Sequence, residues 1–144
     1  MPHFSDTTQF GLTMRFDVMV AGIDLGAWSS CDGLKVDFGL KEIKVGGNND
    51  CKVYLPDRVF YPRLVLKRAM NARDSGKVMA WLRSMVDATE GDAATITLRD
   101  SHNDTVSEWT FVNVRPASWK GPTLAASSKD VATEMLELVH EGFL

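Results

Sequence analysis

The sequence predicts a mainly β fold of the α+β class, an antiparallel β-barrel or sandwich with one flanking α-helix. Several segments alternate apolar and polar residues with period two, the pattern of a strand buried on one face. A single segment carries a clear helical stripe instead. Clusters of Gly, Asn, Asp and Pro separate the segments and supply turns. A succession of two-faced strands with so little helix is resolved by a barrel or a sandwich.

The first strand is expected from Met14 to Val20, where Met14, Phe16, Val18 and Val20 are apolar around Arg15 and Asp17. Gly22 and Gly26 are placed to allow turns around Ile23 to Leu25. The cleanest alternation follows, with Leu34, Val36, Phe38 and Leu40 set against Lys35, Asp37 and Lys41, and reads as a long amphipathic strand. Gly46-Gly47-Asn48-Asn49-Asp50 is too polar to pack and reads as a hairpin tip, followed by a short run from Lys52 to Leu55 and then Pro56-Asp57. Arg63 to Ala69 is another strand, with Leu64 and Leu66 facing one way and Arg63, Val65 and Lys67 the other.

The period then changes. Val78, Trp81, Leu82, Met85 and Val86 make an amphipathic helical stripe, with Asp74 or Ser75 as the cap and Gly91 just past the end. Strands resume at Ala94 to Arg99 and Val106 to Val114, joined by the turn Asp100-Ser101-His102-Asn103-Asp104. Asn103-Asp104-Thr105 also spells a glycosylation sequon, read here as the turn it resembles. Beyond Pro116, Trp119-Lys120-Gly121-Pro122 is expected to bend the chain into a loop reaching Ser128. The run Val131 to Val139 fits a helix or a two-faced strand, and periodicity does not arbitrate.

The chain has 144 residues, the size of a single domain spanning 1–144. With 16 basic against 19 acidic residues and a net charge of -3, it lacks the clustered charge of a phosphate-backbone binder. No apolar run approaches the roughly 20 residues of a membrane span. The start Met1-Pro2-His3-Phe4 carries neither the basic cap nor the apolar stretch of a secretory signal, so cytoplasmic synthesis is expected.

The chemistry-bearing residues are sparse. Cys31 and Cys51 are far from CxxC spacing and read as free thiols, and His3, His102 and His140 have no ligand-type neighbour at zinc spacing, so neither a metal nor a cofactor is expected. Phosphate-loop, dinucleotide, nucleophile-elbow and zinc-protease motifs are absent from the sequence. The carboxylate pairs Glu134 with Glu137 and Asp17 with Asp24 read as solvated faces, since 19 acids produce such pairs by chance. Cys31 stands beside Asp32, with no basic neighbour in sequence to activate it. An enzyme is therefore unsupported, and a small enzyme or ligand-binding barrel using Cys31 or His102 is the remote alternative. Two-faced strands and a long hairpin instead leave edges that need cover, and self-association by strand addition into a closed ring would supply it.

The ordered motifs resemble the tail-tube proteins of contractile phages and the inner-tube proteins of related bacterial contractile injection systems. The resemblance runs from Phe16-Asp17-Val18 and Gly22 through Cys31-Asp32-Gly33-Leu34, Gly46-Gly47-Asn48, Leu55-Pro56 and Leu64-Val65-Leu66-Lys67-Arg68. It continues with Ile96-Thr97-Leu98-Arg99-Asp100, Trp109-Thr110-Phe111, Asn113, Pro116, Trp119-Lys120-Gly121-Pro122, Glu134-Met135-Leu136-Glu137-Leu138 and His140-Glu141-Gly142. It implies a tail-tube-like fold with a C-terminal strand, forming homohexameric rings that stack into a hollow tube expelled by sheath contraction. The implied partners are the sheath, baseplate or spike, and tube-terminating proteins, with protein effectors or phage DNA as lumen cargo. The machine would be assembled in the cytoplasm and act outside the cell or across a target envelope. A secreted ring protein of the type VI kind, carrying effectors, is the nearest alternative. By the same resemblance Gly46, Gly47, Asn48, Asn49 and Asp50, together with the stretch from Phe4 to Phe10, would join rings, and His140, Glu141, Gly142, Phe143 and Leu144 would complete the ring.

Overall fold

A computed structural model of the chain describes residues 14–44, 46, 52–127 and 129–144. Strand β1 (Arg15–Val20) turns back into β2 (Ile23–Trp28) through Ala21 and Gly22, both at positive φ (53° and 77°). Two such residues make the tight turn whose twist matches paired strands. Ile23 to Leu25 are therefore strand, contrary to the turn expected there. The expectation placed the turn at the wrong glycine, since Gly26 lies inside β2 beside a register shift. Its φ of +88° and its contact with the Asp74 carboxylate leave no room for a Cβ.

After Ser29 come β3 (Ser30–Asp32), β4 (Asp37–Lys44), β5 (Lys52–Phe60) and β6 (Leu64–Ala69), then helix α1 (Ala72–Met85), β7 (Asp92–Arg99), β8 (Thr105–Lys120) and β9 (Thr133–Val139). Seven strands form one antiparallel sheet in the order β2-β1-β7-β8-β9-β6-β3, and β4 and β5 pair only with each other. The two ends of the seven-stranded sheet, β2 and β3, are consecutive along the chain with Ser29 between them. The sheet is therefore drawn round on itself as a barrel, and the Ser29 N–H donates to the Lys67 carbonyl at 2.9 Å across the join.

The second corner is β8. Its first part pairs with β7 and its last part, from Arg115 to Lys120, with β9. Asn113 at φ 51° and a register shift between Pro116 and Ser118 make the change of direction. The strand thus continues through Pro116 to Lys120, beyond the expected end at Val114. Proline is tolerated because it sits at a bulge, where the ladder already lacks a regular bond. The turn Asp100–Asp104 forms as expected, with Asn103 at φ 67° and the Asp100 carboxylate accepting from the His102 and Asp104 N–H groups. The ambiguous C-terminal run is the strand β9.

Val18, Val20, Leu25, Trp28, Leu64, Leu66, Ile96, Phe111, Leu136 and Leu138 fill the barrel, and α1 adds Val78, Trp81 and Met85. The helix is capped three or four residues earlier than the expected cap at Asp74 or Ser75. Asn71 is the cap, its Oδ1 accepting from the Asp74 N–H at 2.7 Å, while its own N–H donates to the Ser75 Oγ. Val86 falls at the C-cap and is 77% exposed, so the packing stripe stops at Met85.

One polar cluster lies inside. Glu134, expected on a solvated face, is 2% exposed and faces Arg68, 3% exposed, across the β6–β9 pair. Arg68 Nε donates to Glu134 Oε2 at 3.1 Å, and Ser75 Oγ of α1 donates to the same oxygen. Trp119 Nε1 of β8 donates to Oε1 at 3.1 Å. Arg68 Nη1 donates to the Leu25 carbonyl of β2, and the guanidinium stacks 3.9 Å from the Trp28 ring centroid.

Removing one member of a buried pair leaves the other charged and uncompensated, at about 3 to 5 kcal/mol. E134A is expected to lose stability of that order in urea denaturation. The double variant R68M/E134L, which removes both charges, should recover most of it; equal loss in both would deny the pair this role.

Candidate functional site

The hairpin β4–β5 leaves the barrel at Gly33, whose φ of +89° and contact with the Arg63 carbonyl admit no side chain. Strand β4 starts only at Asp37, so Leu34 and Val36 precede it and do not share in the long strand expected there. Strand β5 runs through Pro56 to Phe60, past the expected end at Leu55. Pro56 stands opposite Leu40, next to the register shift between Phe38 and Leu40 that absorbs its missing N–H. The pairs Phe38 with Val59, Leu40 with Pro56 and Glu42 with Tyr54 lie on one face, and Asp37 with Phe60, Lys41 with Leu55 and Ile43 with Val53 on the other.

Nearly every hairpin residue is exposed. Phe38 at 61%, Phe60 at 60%, Leu40 at 59% and Tyr54 at 58% are large apolar groups facing solvent on both faces. Amphipathic alternation predicted burial of one face, and within the described residues neither face is covered. A two-stranded hairpin is marginal alone in water, and apolar surface of this kind marks an interaction site. Gly46 lies at the far end at φ +58°, with open space around it. Gly47, Asn48, Asn49 and Asp50, like Phe4 and Phe10, lie outside the described residues.

The C-terminal tail is a second candidate. Its backbone adds to β8, the Glu141 N–H donating to the Val112 carbonyl and the Val112 N–H to the Gly142 carbonyl, each at 3.0 Å. Gly142, at φ +136°, is buried against the Tyr61 ring, where a Cβ would collide. Phe111 lies 4.8 Å from His140 and 5.5 Å from Phe143 between centroids, and Tyr61 lies 5.3 and 5.4 Å from the same two rings. The structure therefore gathers His140, Gly142 and Phe143 inside their own subunit, leaving Glu141 and Leu144 exposed. Tyr61 and Phe111 complete this cluster and were missed as site residues. Tyr61 stands before Pro62, just ahead of the strand expected from Arg63, and nothing local marks it for this cluster.

His140 Nδ1 accepts from the Gly142 N–H at 3.0 Å, a bond available only to the unprotonated nitrogen, and Nε2 is buried with no hydrogen-bond partner among the described residues. Burial lowers the His140 pKa below 6.5. The unfolded chain then binds a proton that the folded chain excludes. This contribution to stability is complete above pH 6.5 and is lost as the pH falls through the folded-state pKa.

Cys31 lies on β3, and its thiol is pushed up to about 11 by burial and then by Asp32, the opposite of an activated nucleophile. His102 lies in the β7–β8 turn. The drop in thermal midpoint from about pH 7 to about pH 5 should be smaller in H140Q than in the parent protein, measured by circular dichroism; equal drops would remove His140 from the acid response.

The model of the T4-like virus tail tube protein gp19 family matches residues 12–144. Among solved structures, the chain is similar to one in the six-fold symmetrised baseplate of the anti-feeding prophage, at TM-score 0.70 and 24% identity over 91% of this chain and 90% of that one. It is also similar to a chain of the PVC extracellular contractile injection system, in its extended sheath–tube complex, at TM-score 0.73 and 21% identity over 90% and 86%. Hcp1 from Salmonella typhimurium gives TM-score 0.51 and 14% identity over 90% and 83%. At these identities the structures speak for the fold. A search of curated proteins gives no match. The family match over residues 12–144 decides the identity: the chain belongs to the T4-like virus tail tube protein gp19 family and is a structural tube subunit, not an enzyme.

Proposed function

We propose that the whole chain acts as one unit that assembles into homohexameric rings, which stack into the inner tube of a contractile injection system or phage tail. The observation that carries this reading is the hairpin with large apolar groups bare on both faces, attached to a barrel whose sheet ends are already joined. Further copies of the chain cover those faces, and a ring of identical contacts closes without leaving an edge. The six-fold baseplate and the sheath–tube complex among the similar structures support a six-membered ring inside a sheath.

Phe4, Phe10 and Gly46 to Asp50 join one ring to the next. In the tail, the exposed Glu141 and Leu144 meet the neighbouring subunit, while His140, Gly142 and Phe143 hold the tail in position. The tube is made and assembled in the cytoplasm, bounded by baseplate or spike and terminating proteins, and driven outward by the sheath, passing protein effectors or DNA. Six copies of net charge -3 favour release of anionic cargo where that charge faces inward. The alternative, a shed effector-carrying ring of the type VI kind, has the weaker likeness to Hcp1 behind it.

Electron microscopy of the purified protein is expected to show rings or tubes. F38S and F60S probe the two hairpin faces separately and should each reduce assembled material, while monomer stability stays within about 0.5 kcal/mol because both positions are exposed. Protein that remains monomeric at high concentration with its sheath and baseplate proteins present would overturn the reading.

A further inference from the structure

We propose that a basic cleft at the N-terminal end of α1 receives the acidic loop at the C-terminal end of α1 from a second copy of the chain. This rests on the tube reading and adds a specific electrostatic contact to it.

The cleft has a volume of about 450 Å³ and is lined by Lys67, Lys120 and Met135, with Ser29, Thr123 and Thr133 among its other walls. Lys67 on β6 and Lys120 on β8 both stand in register with Met135 on β9, one on each side. Cross-strand partners share a face, so the three side chains form a row, with the lysine backbones about 10 Å apart. Glu134 also lines the cleft, but its carboxylate is spent on Arg68, Ser75 and Trp119. Both lysines are exposed, and neither has an ion-pair partner among the described residues. The cleft presents two uncompensated positive charges beside hydroxyl groups.

The complementary surface is on the same chain. Asp87 and Glu90 are exposed in the loop that follows α1, again without an ion-pair partner among the described residues. The loop is held firmly: Arg115 Nη2 donates to the Ala88 carbonyl at 2.7 Å, and the Gly91 N–H donates to Asn113 Oδ1 at 2.7 Å. Its carboxylates are thus presented from a fixed backbone.

Position gives the pairing its geometry. Ala69, in the cleft, lies just ahead of the Asn71 cap, whereas Asp87 follows the C-cap Val86. Fourteen helical residues separate the two ends by about 21 Å. Loop and cleft therefore sit at opposite ends of one rod, and a contact joining them between copies is head-to-tail. Such a contact propagates in one direction and closes into a ring or continues as a stack.

The test is charge reversal of the full chain, read by sedimentation and electron microscopy at about 50 mM and about 500 mM salt. K67E/K120E alone and D87K/E90K alone should each lower the assembled fraction about tenfold at low salt, since like charges now face each other. An equimolar mixture of the two variants should assemble again, because every acidic group then meets a basic one. Melting curves verify that each variant is folded; where K67E/K120E is not, K67Q/K120Q replaces it and is read for loss of assembly alone, without the mixture. Undiminished assembly of folded variants, or no recovery in the mixture, overturns the cleft contact and leaves the tube reading intact. Binding of a short DNA strand to the cleft that is lost in K67E/K120E, with assembly unchanged, would put cargo there instead. Parent protein that never assembles overturns the tube reading, and the contact with it.

Discussion

The fold is organised around the buried ion pair between Arg68 and Glu134. Glu134 draws β6, β8, β9 and α1 to a single carboxylate, and Arg68 extends the connection to the β2 backbone and to Trp28. A charge pair withdrawn from water offers little net stability against an apolar alternative, but an incomplete one is severely penalised. The arrangement therefore selects among packings. The barrel must close with Arg68 and Glu134 opposite each other, and α1 must dock with Ser75 at the same oxygen.

Such a centre makes the barrel self-sufficient, and the hairpin is its contrast. Barrel strands bury one face in the subunit's own core, whereas β4 and β5 bury nothing comparable. In the proposed assembly, further copies of the chain cover their exposed apolar residues. The C-terminal tail lies between these cases. Its rings are packed at home, while its last residue points outward.

These differences determine what was legible in the sequence. Alternation located β1, β6, β7 and β9 because each has one face in the core, although β9 needed the family resemblance to separate strand from helix. Alternation also located β4, but period two reports only that a face is buried, not which chain buries it. Ala72 and Arg73 bear no periodic signal, and the true cap, Asn71, is marked only by the bond it accepts from the Asp74 N–H. Arg68 and Glu134 are 66 positions apart, and nothing local marks them as partners. The same holds for Tyr61 and Phe111 around His140. Of the expected hairpin tip, Gly46 to Asp50, the structure describes Gly46 alone.

The way the hairpin joins the barrel governs how force would travel through a tube made of this subunit. One leg enters through residues 33–36 and reaches β3; the other leaves through residues 61–63 and becomes β6. Strands β3 and β6 are hydrogen-bonded to each other. A pull or push on the hairpin is thus delivered to two adjoining strands of a closed wall, and from β6 passes to β9 and the ion pair. Clamped at both legs, the hairpin would act as a lever on that pair of strands. In a column of such subunits, thrust on the hairpin would reach β3 and β6 first and β7 last, since β7 stands farthest from both in the closed strand order.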